Sequence, residues 1–145
     1  MSRSESPKAR VVHRFRASPE RVFDAWLDPA KIALWFGPGL GEMVRIDVDA
    51  RVGGRFSFVQ RRGTQEIDHV GEYLELDRPK RIVFTWGVAP EPVESTVTIE
   101  IAPRGDGCEL VLVHEMAPKW AEYVARTEHG WRTMLDGMAT AVVDP

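Results

Sequence analysis

One cysteine, Cys108, is all the sulfhydryl chemistry this chain of 145 residues carries, which excludes an internal disulfide and any cysteine-cluster zinc site. A lone thiol of this kind suits a reducing compartment and reads as small apolar filler. Long apolar runs are missing as well. The longest, Ile32 to Phe36, falls far short of the roughly 20 residues that cross a bilayer, so no membrane role is expected. The opening segment, MSRSESPKAR, has no apolar stretch of the signal-peptide type. Residues 1–9 are expected to form a frayed tail ahead of a single domain over residues 10–145, in a cytoplasmic protein. Positive charge is not in excess either: 19 Lys and Arg face 22 Asp and Glu, and the two signs are interspersed. Nucleic acid, which demands clustered cations to displace phosphate counterions, is therefore not an expected partner. The basic clusters at Arg61-Arg62 and Arg78-Pro79-Lys80-Arg81 border turn residues and read as solvated loops.

Catalytic signatures are absent too. There is no nucleophile elbow and no phosphate loop. Gly37, Gly39 and Gly41 form a GxGxG run, but it follows a helical pattern and precedes a strand, the reverse of the dinucleotide-binding order, so it reads as a flexible loop at a pocket mouth. The four histidines, His13, His69, His114 and His129, show no pair at metal-ligand spacing, and neither a metal nor a cofactor is expected. Glu66, Asp68, Glu72 and Glu75 have the spacing of a solvated strand face, not of a paired acid and base.

What the chain does contain is well-punctuated periodicity. Val11, His13 and Phe15 alternate with Val12, Arg14 and Arg16, a first strand. Ser18-Pro19 and Asp28-Pro29 each set a capping side chain before a proline, which predicts two short helices carrying Trp26 and Trp35. Six strands in a meander are then expected to about residue 116. Val44, Ile46 and Val48 mark one, Phe56 and Phe58 the next, and either parity of residues 66–77 can face inward. Ile82, Phe84 and Trp86, then Val97, Ile99 and Ile101, and finally Leu110, Leu112, His114 and Met116 mark the others. Beyond Pro118 the period becomes helical, with Trp120, Tyr123, Val124, Trp131, Met134, Leu135, Met138 and Val142 on one broad apolar face. Within it, Gly130 and Gly137 are helix-weakening positions that mark a close contact or a bend. An antiparallel sheet must cover its dry face, and this last helix is the only element long and apolar enough to do so.

Several stretches resemble one family. FRASPERVFDAWLDPAKIALWFGPGLG (15–41), DARVGGRF (49–56), GEYLELDRPKRIVFTW (71–86) and HGW followed by Met134-Leu135 are similar to the homologues of the heat-shock chaperone ATPase activator, in the START-like (SRPBCC) superfamily. The resemblance implies an α+β helix-grip fold: a curved, seven-stranded antiparallel sheet around a long C-terminal helix, with two short helices between the first two strands. It also implies a choice of roles that fold alone does not make. The leading expectation is a carrier, sensor or sequestering protein holding a small hydrophobic ligand in a cavity of about 300 to 1,000 Å³ between sheet and helix. Two alternatives stand beside it: a chaperone-associated module that stimulates an ATPase, and a polyketide cyclase or dehydratase-like enzyme using His69, His114 or Glu72 as a base. No catalytic constellation is recognised in the sequence. The candidate ligand-binding residues are Trp35, Phe56, Phe58, His69, Tyr73, Phe84, Trp86, His114, Trp120, Trp131, Met134 and Met138. Trp131→Ala is expected to weaken binding and leave the fold standing. Pairing of strand edges and of the Gly37–Gly41 loop is compatible with a homodimer.

Overall fold

The computed structural model describes residues 7–36 and 42–142. Its elements run β1 (Lys8–Phe15), α1 (Pro19–Ala25), α2 (Pro29–Trp35), β2 (Glu42–Val48), β3 (Arg55–Arg62), β4 (Gln65–Asp77), β5 (Arg81–Val88), β6 (Ser95–Arg104), β7 (Gly107–Glu115), a 3₁₀ helix (Pro118–Tyr123) and α3 (Val124–Ala141). The expected pair of capped helices forms as the sequence predicts. Ser18 Oγ accepts the Arg21 N–H at 3.2 Å and Asp28 Oδ1 accepts the Ala30 N–H at 2.9 Å, each before a proline in the first turn. The glycine loop at 37–41 lies outside the described residues.

All seven strands join one antiparallel sheet in the order β1-β7-β6-β5-β4-β3-β2. Consecutive strands from β2 to β7 are neighbours, the meander their short links require. The first strand pairs the last, with Lys8 opposite Glu115 and Phe15 opposite Cys108. That strand begins earlier than the Val11–Phe15 alternation suggests, because Ala9 is buried on the same face as Val11. Cys108 is buried, as a filler residue should be, and burial pushes its thiol up to about 11.

Two β-bulges set which residues reach the core. Between Met43 and Arg45 the register slips against Gln60 and Val59, so Val44 turns outward and Met43 packs inward with Ile46 and Val48. Between Tyr73 and Glu75 the same happens against Phe84 and Val83. His69, Gly71 and Tyr73 therefore face inward before the bulge, Leu74 is exposed, and Leu76 faces inward after it.

One face of α3, formed by Trp131, Leu135 and Met138 and continued by Val142 at its C-cap, closes the concave side of the sheet. His13 on β1 reaches Asp136 of α3 at 3.0 Å, and Glu128 accepts the Arg10 backbone N–H at 2.9 Å, so polar ties flank the apolar seam. The stretch expected as one long helix is divided. Its first six residues wind as the 3₁₀ helix, which tightens the turn and leaves Trp120 and Tyr123 exposed, outside the core face. Among the described residues, no helix is long and apolar enough to cross a membrane.

Candidate functional site

The interior between sheet and helix is filled with aromatic rings. Trp26 sits 4.8 Å from Trp35 and 6.0 Å from Trp131, and Trp131 lies 5.5 Å from Trp86, centroid to centroid. Phe56 stacks on Phe58 at 4.8 Å and meets Phe84 edge-on at 5.6 Å, while Tyr73 closes the group from β4. These contacts fall in the range where aromatic quadrupoles favour offset and edge-to-face pairs. The space left among them is about 10 Å³, roughly what one water needs. The expected large cavity between sheet and helix is thus occupied by side chains, since Trp26 and Leu27 just past α1, and Ile82 of β5, join these aromatics to fill it.

An open cleft lies immediately beside this core. The loop between β5 and β6, the end of β7, the 3₁₀ helix and the start of α3 enclose a cleft of about 500 Å³, the size range of small-molecule sites. Its inner side is made by Trp86, Ser95, His114 and Met116, and its rim by Val88, Pro92, Trp120, Tyr123 and charged residues. Trp86 borders both spaces and forms the partition between them. Trp120 and Tyr123 lie 5.4 Å apart on the rim, with Lys119 over the first ring and Arg126 over the second. Lys119 also pairs with Glu94 across the rim at 2.8 Å.

Of the twelve candidate residues, Trp35, Phe56, Phe58, Tyr73, Phe84, Trp86 and Trp131 converge on the core space. Trp86, His114 and Trp120 converge on the cleft. His69 stacks on Trp86 at 5.5 Å, Met138 is fully buried in the core, and Met134 is packed against it. Sequence reasoning missed Ser95, Met116 and Tyr123 at the cleft. Met116 continues the inward parity of Leu112 and His114, a signal that was present, whereas nothing local distinguishes Ser95 from other strand-end serines.

The polar chemistry of the two buried histidines is settled by their partners. His69 donates from Nδ1 to the Phe58 carbonyl at 3.1 Å, and burial lowers its pKa. His114 accepts the Trp131 indole N–H on Nδ1 at 3.0 Å, and burial drives its pKa down to about 4. Glu72 has the other parity of β4, outside the core, opposite Arg55. The three bases considered from the sequence therefore do not converge, and among the described residues neither buried imidazole is hydrogen-bonded to a carboxylate that would orient it for proton transfer.

The family model described as Activator of Hsp90 ATPase homolog 1-like protein matches residues 16–142. Among solved structures, protein CV1439 from Chromobacterium violaceum is 31% identical with a TM-score of 0.83, over 95% of this chain and 98% of that one. The AHSA1-like protein from Aeromonas hydrophila, at 23% identity and a TM-score of 0.79, covers 93% of this chain and 91% of its own. Protein SA2116 from Staphylococcus aureus, a protein of unknown function, shares 20% identity with a TM-score of 0.83 over 95% and 94%. The last two likenesses are of fold. No curated protein matches this chain.

Proposed function

We propose that this chain, which belongs to the Activator of Hsp90 ATPase homolog 1-like family, binds a small, flat, apolar molecule in the cleft beside Trp86. The observation that carries this reading is the cleft itself: about 500 Å³ of open space walled by Trp86, Met116, Trp120 and Tyr123, next to a core that has no comparable room. Binding draws on apolar burial at about 25 cal/mol per Å² removed from water, and the few polar groups set orientation. Trp120 and Tyr123 are partly exposed before binding, so a ligand covers surface that the fold alone leaves wet. A carrier, sensor or sequestering role uses such a site equally well. The single buried Cys108 suits a reducing compartment, and we place the protein's action in the cytoplasm.

Native mass spectrometry of protein purified gently from its own host tests this directly. A reproducible extra mass, lost on denaturation and absent from Trp120→Ala, is the expected result, and the same spectrum reads whether the chain is a homodimer. A bare chain mass together with no saturable uptake of small aromatic probes would overturn the reading. A second reading, stimulation of a chaperone ATPase, is favoured by the family description and by the exposed Trp120 and Tyr123 as a contact surface. It requires that the chain accelerate ATP hydrolysis by the Hsp90-type chaperone of the same cell and that Trp120→Ala abolish the effect.

A further inference from the structure

The inner side of the cleft carries a chain of hydrogen bonds whose direction is fixed by chemistry. An indole N–H only donates, so the Trp131 bond to His114 Nδ1, 3.0 Å long, leaves that nitrogen as the acceptor. The proton of the neutral ring then resides on Nε2. Nε2 lies 2.9 Å from Ser95 Oγ and donates to it. The serine proton cannot point back along the same line and goes to the Trp86 carbonyl, 2.6 Å away, which can only accept. Ser95 Oγ has thus spent its proton, accepted one hydrogen bond and kept one lone pair. Burial holds His114 neutral around pH 7, so the direction does not reverse there.

The polar element that the cleft offers a ligand at Ser95 is therefore an acceptor. The nearby rim carries Glu91 and Glu94 against Lys119 and Arg126, with Lys119 paired to Glu94 and both cations seated over the Trp120 and Tyr123 rings, so it holds no excess of positive charge to favour an anion. We propose that the cleft selects a flat apolar molecule bearing a hydroxyl or N–H donor, which hydrogen-bonds to Ser95 Oγ while its ring lies among Trp86, Trp120 and Tyr123. This rests on the reading of the cleft as a ligand site and adds the ligand's polar chemistry to it. A phenol meets the requirement. Its methyl ether has the same shape and no proton to give, and a carboxylate sets lone pairs against lone pairs.

Three probes at pH 7 separate these cases: 4-ethylphenol, 4-ethylanisole and 4-ethylbenzoate, titrated into the full chain and followed through its indole and amide NMR signals. The phenol is expected to bind the wild type about tenfold more tightly than the ether, the worth of one hydrogen bond in a desolvated site. In Ser95→Ala that ratio falls to about one, and in Trp120→Ala both probes weaken by the same factor. Equal binding of phenol and ether by the wild type, or tightest binding of the benzoate, overturns the donor requirement and leaves the apolar cleft standing. A phenol preference that survives in Ser95→Ala overturns the assignment to Ser95. Failure of all three probes to bind overturns both this inference and the reading beneath it. The wild-type comparison decides the donor requirement even where the serine variant does not fold.

Discussion

Gly71 shows how much a single hydrogen atom in place of a side chain decides. It sits opposite Phe56 in the β3–β4 register, and a methyl group there would run into the Thr85 carbonyl and come within 2.7 Å of Phe56 Cε2. Phe56 anchors the aromatic interior and cannot yield without disturbing Phe58, Tyr73 and Phe84. Gly71→Ala is therefore expected to destabilise by about 3 kcal/mol, the upper range for overpacking a core, and a denaturation midpoint equal to wild type would refute the argument. Trp131 makes a related point. The expectation that its truncation spares the fold does not survive its burial, at 2% exposure, nor its bond to His114. Losing so large a buried side chain costs about 3 to 5 kcal/mol, so Trp131→Ala measures stability before it measures binding. Trp120, at 43% exposure, is the residue that separates the two. Trp120→Ala is expected to shift stability by less than about 0.5 kcal/mol while removing ligand uptake, checked by unfolding and mass spectrometry on the same sample.

Within the elements, α3 carries an unforced weakness. Gly130 lies in its second turn with no heavy atom within 4 Å of where a Cβ would stand, whereas Gly137 would place one in ordinary contact with Trp35. Gly130→Ala is expected to stabilise the protein by about 0.5 to 1 kcal/mol through the backbone freedom lost from the unfolded chain, read as a higher urea midpoint at unchanged slope. Gly130 therefore marks no close contact of the kind expected from the sequence, and Gly137 packs against Trp35 of α2 at ordinary van der Waals distance. The elements themselves were legible because capping prolines, turn glycines and two kinds of periodicity all agreed. What resisted reading was phase. A bulge inserts one residue and exchanges the faces, so Val44 looked inward by alternation and is exposed, and residues 66–77 showed two competing parities because both are inward, one on each side of Leu74. The 3₁₀ helix hid in the same way. Trp120 and Tyr123 keep helical spacing from Trp131, yet a tighter winding rotates them off the core face and onto the cleft rim. The candidate site was legible in kind, as aromatic lining, but the filling of the interior depends on side chains from six elements meeting at one point, which no single segment encodes.

For the molecule as a whole, buried imidazoles make stability depend on acid. His114 titrates near 6.5 when unfolded and near 4 in the fold, and His69 is lowered in the same direction. Between those values the unfolded chain takes up protons that the native chain refuses, so the stabilising contribution is complete above about pH 6.5 and is lost as the pH falls toward 4. For His114 alone the loss approaches about 3 kcal/mol at its limit. His114→Gln, which keeps an acceptor and a donor but does not titrate, is expected to flatten that arm of the stability profile, and an unchanged slope in chemical denaturation between pH 7 and pH 4.5 would contradict this. The sheet order has a consequence of another kind. Of the seven strands of the sheet β1 is made first and its partner β7 last, with every other strand in between. A nascent chain can lay down the meander from β2 onward as each strand emerges, but β1, whose one sheet neighbour is β7, must wait without a strand partner until Cys108 to Glu115 are synthesised. During that interval the Val11 and Phe15 face is the surface a passing chaperone would meet.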